Sequence, residues 1–489
     1  MVRTRAGAVR GECVDGVHRF LGVPFAEPPV GARRFALPER RAPWSDVLDA
    51  TVHGPTATQP LLPSGLFPQT IVEGDDCLHL DVYTTALDGL RPVVVWIHGG
   101  GMVMGSNVDL DGSGLARRGV VVVAPNYRLG VDGFLTIEGA PNNRGVADWL
   151  LALEWVRDNV ERFGGDPANV TIAGQSAGSA ACLNLLTLPR SAGLFRRVYA
   201  MSGTPWNQVD LVRARTHAAE LAGRLGIEAT VDGVASVPVD QLMAVQHELA
   251  PVGGIDATGS TLDQVHHLAT LEGWLGPVVD GELVPCHPLT AIAQGAGGDL
   301  DVAVGSTAEE MDALMLLMGA DVTASDADAA YARLGLDPDA VDAWRRDAPD
   351  RTSGQELGAA LTALSFRVPA LDVAELRARA DGPASTFVYE LTWRPPTPIG
   401  AVHGIDVFLA LDALDGDVAP MLMGGEAPRS LVDDVAGAVV RFAIDGDPGW
   451  PAYQLATRTE RAFDVPSRLR TDPGASARRL FGPIRGRGD

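Results

Sequence analysis

The chain reads as an α/β protein: a large, mostly parallel twisted central sheet with helices on both faces. Three observations predict this. Pro92 to Ile97 and Val120 to Ala124 are continuous runs rich in β-branched residues, the pattern of strands covered on both sides. Gly145 to Phe163 carries Val146, Leu150, Leu153, Val156, Val160 and Phe163 at helical spacing along one face. Third, Val170 to Ala173 reads as a buried strand that breaks at Gly174-Gln175-Ser176-Ala177-Gly178 and resumes as an apolar helix through Ala180, Leu183 and Leu185.

Taken in order, the first sixty residues are rich in Gly, Pro and Arg with short β-like pieces such as Val17 to Val23, an irregular N-terminal layer. Leu78 to Tyr83 alternates apolar and polar residues before the continuous strands begin. The Gly145 helix stops at Gly164-Gly165-Asp166-Pro167. After the strand-turn-helix comes a strand at Arg197 to Met201, then helical text including Leu211 to Leu225 and Val239 to Leu249. A strand at Val302 to Thr307 interrupts it, helices return from Asp326 to Ala380, and a strand at Thr386 to Trp393 leads into the proline-rich loop Arg394 to Val402. The last strong helix, Leu431 to Ala443, stops at Asp445-Gly446-Asp447-Pro448-Gly449, and the Arg- and Gly-rich tail is expected to fray. The reading is one catalytic domain over 1–489, with helical insertions at about 206–300 and 315–385 capping the site.

Composition narrows the partners. The 489 residues are 46% hydrophobic and 21% charged, ordinary for a globular chain, while a net charge of −23 argues against nucleic acid and anionic membrane surfaces. There is no lysine, so all 39 basic residues are Arg, as a GC-rich genome would give. No stretch reaches the ~18 continuous apolar residues of a membrane span, and no signal-like run opens the chain, so a cytoplasmic location is expected. Cys13, Cys77, Cys182 and Cys286 lie far apart without metal-ligand spacing and are expected to be reduced thiols. Neither metal nor cofactor is called for. The sequence leaves open whether the protein is a monomer or a homodimer.

A serine hydroxyl attacks only if a base takes its proton, an acid orients that base and N–H donors receive the oxyanion. Ser176 sits at the centre of the Gly-x-Ser-x-Gly turn. When the order along the chain is serine, acid, histidine, His403 is the candidate base, because among the histidines after Ser176 it alone follows the last predicted strand. The loop after Val302 to Thr307 offers Glu309, Glu310 and Asp312 as acids. His98-Gly99-Gly100-Gly101 directly follows the strand ending at Ile97, so Gly100 and Gly101, with Ala177, are the expected oxyanion donors. A phosphate cradle is disfavoured, since no Gly-Lys-Ser/Thr is present. Ser202 is a candidate to order water or the histidine, or is a buried structural serine. Trp206 and Phe408 either line the pocket or pack.

Several segments resemble signatures of the type B carboxylesterase and cholinesterase-like family of α/β-hydrolases, and the likeness spans nearly the whole chain. They are Phe20 to Ala26, Asp76 to Tyr83, His98 to Gly101, Asn143-Arg144-Gly145, Phe163 to Pro167, Gly174 to Gly178, Gly305 to Glu310 and Gly400 to Asp406. The resemblance implies the α/β-hydrolase fold, hydrolysis of carboxylic esters through an acyl-serine with water as second substrate, no cofactor, Glu310 as the acid and His403 as the base. Departures carry information too. Gln175 stands where the family usually has glutamate, which disfavours a cationic substrate, and Met102 replaces an aromatic, suggesting a softer acyl pocket. Small to medium neutral esters are expected. Carbamate or amide hydrolases and lipases use the same machinery, and a non-catalytic interaction protein on the scaffold is the remaining alternative.

Overall fold

The computed structural model describes residues 1–61, 69–203, 205, 208–250, 274–317, 322–415 and 418–482. Its centre is an eleven-stranded sheet: β1 (Glu12–Val14), β2 (Val17–Pro24), β3 (His79–Thr84), β4 (Arg91–Ile97), β5 (Val121–Pro125), β6 (Gly165–Gln175), β7 (Arg197–Met201), β8 (Asp301–Thr307), β9 (Thr386–Leu391), β10 (Thr459–Phe463) and β11 (Arg468–Thr471). The spatial order is β11-β10-β9-β8-β7-β6-β4-β5-β3-β2-β1. The seven strands from β10 to β5 are mutually parallel, and the flanking strands at either edge run antiparallel.

The side-chain alternation of the central strands builds two cores. Val93, Val95, Ile97, Val170, Ile172, Val198 and Val302 face one side, where they meet the helices α1 (Arg144–Asn159), α2 (Ala177–Thr187) and α3 (Val368–Ala380). Val94, Trp96, Ala173, Tyr199, Ala303 and Phe387 face the other, under α4 (Ile405–Leu411) and α5 (Arg429–Asp445). Both faces being covered explains why these strands carry so few polar positions. The polar residues of β3 are buried as well: Asp81 accepts the Gly22 N–H at 2.8 Å and pairs with His53, while His79 Nε2 meets the Pro55 carbonyl at 2.7 Å.

Two buried arginines knit the loop after β5 to α1. Arg128 directs its backbone N–H, Nε and Nη2 at the Asp148 carboxylate at 2.7 to 3.0 Å, and Arg144 donates to the carbonyls of Val131, Asp132, Leu135 and Pro141. Burial penalises the Arg144 charge enough to pull its pKa down to about 9.

A third apolar cluster is separate from the sheet. Met311, Met315, Ala327, Tyr331, Trp344, Leu357, Leu361 and Leu364 gather between helices within 312–364, closed by Ala477 and Leu480 of the helix Ala475–Phe481. The expected fraying therefore does not apply to 475–481, which docks on this cluster; residues 483–489 lie outside the described part. Ser353–Ala380 forms one helical stretch apolar enough by composition for a membrane span, with mean hydropathy 1.3, yet 83% of that window is buried inside the protein. Between residues 206 and 300, the helices Leu211–Leu225 and Val239–Leu249 join the main core through Ala218, Leu221, Leu242 and Met243.

Replacing Asp148 by alanine strands the Arg128 charge in a dry interior. The expected loss is about 3–5 kcal/mol, read as a lowered denaturation midpoint.

Candidate active site

Because β4, β6, β7, β8 and β9 are parallel, their carboxyl ends open on one edge. The register aligns Ile97 with Gly174, Met201 with both Gln175 and Gly305, and Leu391 with Thr307. The loops carrying His98 to Gly101, Ser176, Ser202, Glu310 and His403 therefore leave the sheet side by side, where α/β sheets bind ligands.

Ser176 occupies the turn between β6 and α2 with φ 57° and ψ −123°. A non-glycine residue held there stores roughly 1–3 kcal/mol of strain. Its N–H is held by the Met201 carbonyl at 2.9 Å and its carbonyl by the Ala180 N–H at 2.9 Å. The flanking glycines are needed for space, since a Cβ on Gly178 would stand 2.0 Å from the Ile97 carbonyl oxygen and one on Gly174 would stand 2.6 Å from the Gly178 backbone. The same close approach brings the glycine loop to the serine: a Cβ on Gly99 would lie 3.2 Å from Ser176 Cβ. Gly100 and Gly101 have φ +108° and +63°. Among the described residues, the N–H groups of Gly100, Gly101 and Ala177 have no acceptor and are free for a ligand oxygen. His98 is buried, stacked on Tyr127 at 4.4 Å, with Nδ1 2.9 Å from the Gly99 carbonyl; burial drives its pKa down to about 4, so it is a neutral packing residue.

The three acids after β8 separate cleanly. Glu310 is buried, receives the Thr307 N–H on Oε1 at 2.7 Å and places Oε2 2.5 Å from His403 Nδ1. Glu309 points elsewhere, accepting the Ala401 N–H at 2.8 Å and pairing with Arg394, so it fastens the histidine loop to the acid loop. Asp312 begins the next helix, Asp312–Leu317, and burial together with Glu309 raises its pKa to about 6.

The His403 ring is 26% exposed. Burial opposes its charged form, but the charge and hydrogen bond of Glu310, reinforced by Asp406, outweigh that penalty and lift its pKa above 6.5. With the Nδ1 proton on the Glu310 side, Nε2 is the acceptor. Gln175 places its amide nitrogen 3.1 Å from Nε2 and 3.4 Å from Nδ1, so the neighbour of Ser176 already touches the imidazole.

The other sequence-derived positions divide. Ser202, fully buried with φ +49°, donates its N–H to the Gly305 carbonyl at 2.8 Å and faces the carboxyl of Asp406, although neither side chain closes a well-formed hydrogen bond. Met102 is buried in the main core at φ +64°, its carbonyl receiving the Gly130 N–H at 2.7 Å. Phe408, a residue of α4, is partly buried against the second core. Trp206 lies outside the described residues. Two residues that the sequence did not single out adjoin the imidazole. Asp406, three residues beyond His403, is buried near Glu310 and raised to about 7, chiefly by burial and next by repulsion from Glu310. Phe366 sets its ring 4.8 Å from that of His403 at 37°. The position of Asp406 one turn after the histidine was a usable signal; Phe366 had none, being 37 residues upstream on another helix.

Fold, elbow, glycine loop and the paired histidine and glutamate define a serine hydrolase architecture, and the comparisons agree. Residues 1–464 match the model of the carboxylesterase family. The chain is 32% identical over 509 residues to a para-nitrobenzyl esterase of Bacillus subtilis, covering 99% of each, and 32% identical to liver carboxylesterase 1 of Oryctolagus cuniculus, covering 89% of this chain and 83% of that protein. Among solved structures it resembles carboxylesterase EST55 of Geobacillus stearothermophilus, with TM-score 0.83, 29% identity and 98% of each chain covered. A PNB esterase superposes with TM-score 0.80 at 31% identity, again over 98% of each chain. The chain belongs to the carboxylesterase family, and it hydrolyses carboxylic esters.

Titrating the His403 ring by NMR should give a midpoint above 6.5. Glu310→Gln removes the carboxylate that favours imidazolium, so the midpoint should fall; an unchanged value would contradict the pairing.

Proposed function

We propose that Ser176, His403 and Glu310 form the triad of this esterase, that Gly100, Gly101 and Ala177 donate to the oxyanion, and that the preferred substrates are small to medium neutral apolar esters. The observation that carries the reading is the 2.5 Å contact of Glu310 with His403 Nδ1, beside the strained, half-buried Ser176. His403 Nε2 takes the Ser176 proton as Oγ bonds to the ester carbonyl carbon, and the carbonyl electrons move to oxygen among the three free N–H groups. Collapse expels the alcohol, protonated by His403. Water then repeats the sequence on the acyl-serine and releases the acid. The neutral amide of Gln175 against the imidazole adds no charge for a cationic substrate to meet, which supports the preference for neutral esters.

We also propose a cytoplasmic setting without nucleic-acid or membrane partners. All four cysteines are free, Cys77 and Cys182 are buried thiols with pKa values pushed up by burial, and the net charge is −23. Fractionating the source cells tests the location; recovery with membranes would refute it.

Ser176→Ala should lower turnover of a short aryl ester by ~10⁴ or more with the denaturation midpoint retained, and activity within about tenfold of the parent would refute the nucleophile. On the acid side, kcat/KM should fall as the imidazole protonates, with a midpoint above 6.5 in the parent and lower in Glu310→Gln. Glu309→Gln should cost less activity than Glu310→Gln; the reverse order would reassign the acid.

A further inference from the structure

The helical stretch Ser353–Ala380 is not uniform. Residues Ala363–Arg367 form a π-helical turn, a feature that adds one residue to a turn and rotates the downstream side chains by about 100°. Leu364 and Leu371, seven apart, would share a face in an uninterrupted helix, yet Leu364 belongs to the cap cluster and Leu371 to the main core. The wide turn lets one helix serve both.

Two side chains leave that turn with distinct partners. Arg367 is buried and pairs with Glu460 of β10 and, at 3.4 Å, with Glu390 of β9, a network that Arg470 joins through Glu390. The burial cost of these charges is offset only while the partners stay together, so the turn is tied to the sheet. The preceding residue, Phe366, is partly buried against the cap cluster and has its ring centred 4.8 Å from that of His403.

We propose that Phe366 is a positioning residue for the general base: the helical cluster, through this ring, holds the His403 imidazole in the orientation that keeps Nδ1 on Glu310. The inference rests on the reading of His403 as the base. Glu310 holds Nδ1 at 2.5 Å and Gln175 reaches Nε2 at 3.1 Å, contacts made at the edge of the ring; the Phe366 ring, centred 4.8 Å away and tilted by 37°, is the aromatic neighbour that can limit how the imidazole tilts. Misplacing a proton acceptor by about 1 Å is enough to cost up to ~10²-fold in rate.

The test compares Phe366→Leu and Phe366→Tyr with the parent, using acetyl and octanoyl esters of one phenol and the downfield proton resonance of His403 Nδ1–H. Phe366→Leu should lower kcat on the acetyl ester roughly tenfold to a hundredfold with KM changed less than about threefold, and should broaden the resonance as the ring gains freedom. Phe366→Tyr, which keeps an aromatic ring, should retain both, and denaturation midpoints identify any variant that merely fails to fold. If Phe366→Leu alters only KM for the octanoyl ester and leaves the acetyl kcat and the resonance unchanged, the residue lines the acyl pocket and the proposal is overturned. Failure of the triad reading shows separately, as turnover persisting in Ser176→Ala whatever the Phe366 variants do.

Discussion

The contact on which the site depends is the approach of the first turn of α2 to the end of β4. Gly178 passes so near the Ile97 carbonyl that no side chain fits between them, and the same proximity sets Gly99 beside Ser176. A single packing constraint thereby fixes two things at once: the strained serine and a glycine loop whose N–H groups lack acceptors among the described residues. Donors held in place by packing need no rearrangement when a ligand oxygen arrives.

Around that contact, the loops are held by paired acids with different duties. Glu310 bonds the imidazole, while Glu309 grips the loop that carries it, through Ala401 and Arg394. The two glutamates sit in the turn that follows β8, where one carboxylate reaches the imidazole and the other reaches the loop behind it. The carboxyl of Asp406 adds negative potential that favours imidazolium, and burial makes its own ionisation costly.

Much of this was legible in the chain because the signals were local. The strand at Arg197–Met201 and the helices Leu211–Leu225 and Val239–Leu249 have the boundaries that periodicity indicated, and the elbow is written in contiguous residues. The candidate acid was narrowed to Glu310 by family resemblance alone, since periodicity left three neighbouring acids open; in the structure Glu310 is the one of the three that contacts His403. What stayed hidden depends on distant partners. β10 carries Glu460 and Arg461 in its centre, weak strand text, and its buried Glu460 is compensated by Arg367 and by Arg470 from distant segments. The π turn at 363–367 is a compromise between two cores, invisible to a reading that tracks one face at a time. Phe408, on α4 itself, packs partly buried against the core of the sheet's second face, a contact no single loop reveals.

The helix at 475–481 has a consequence for how the molecule is made. It completes the third apolar cluster, more than a hundred residues after the segments it closes. During synthesis the elbow and glycine loop can settle early, yet this cluster stays open until residue 480 has left the ribosome. Chaperone protection should matter most in that interval, when the methionines and tryptophan of the cluster face water.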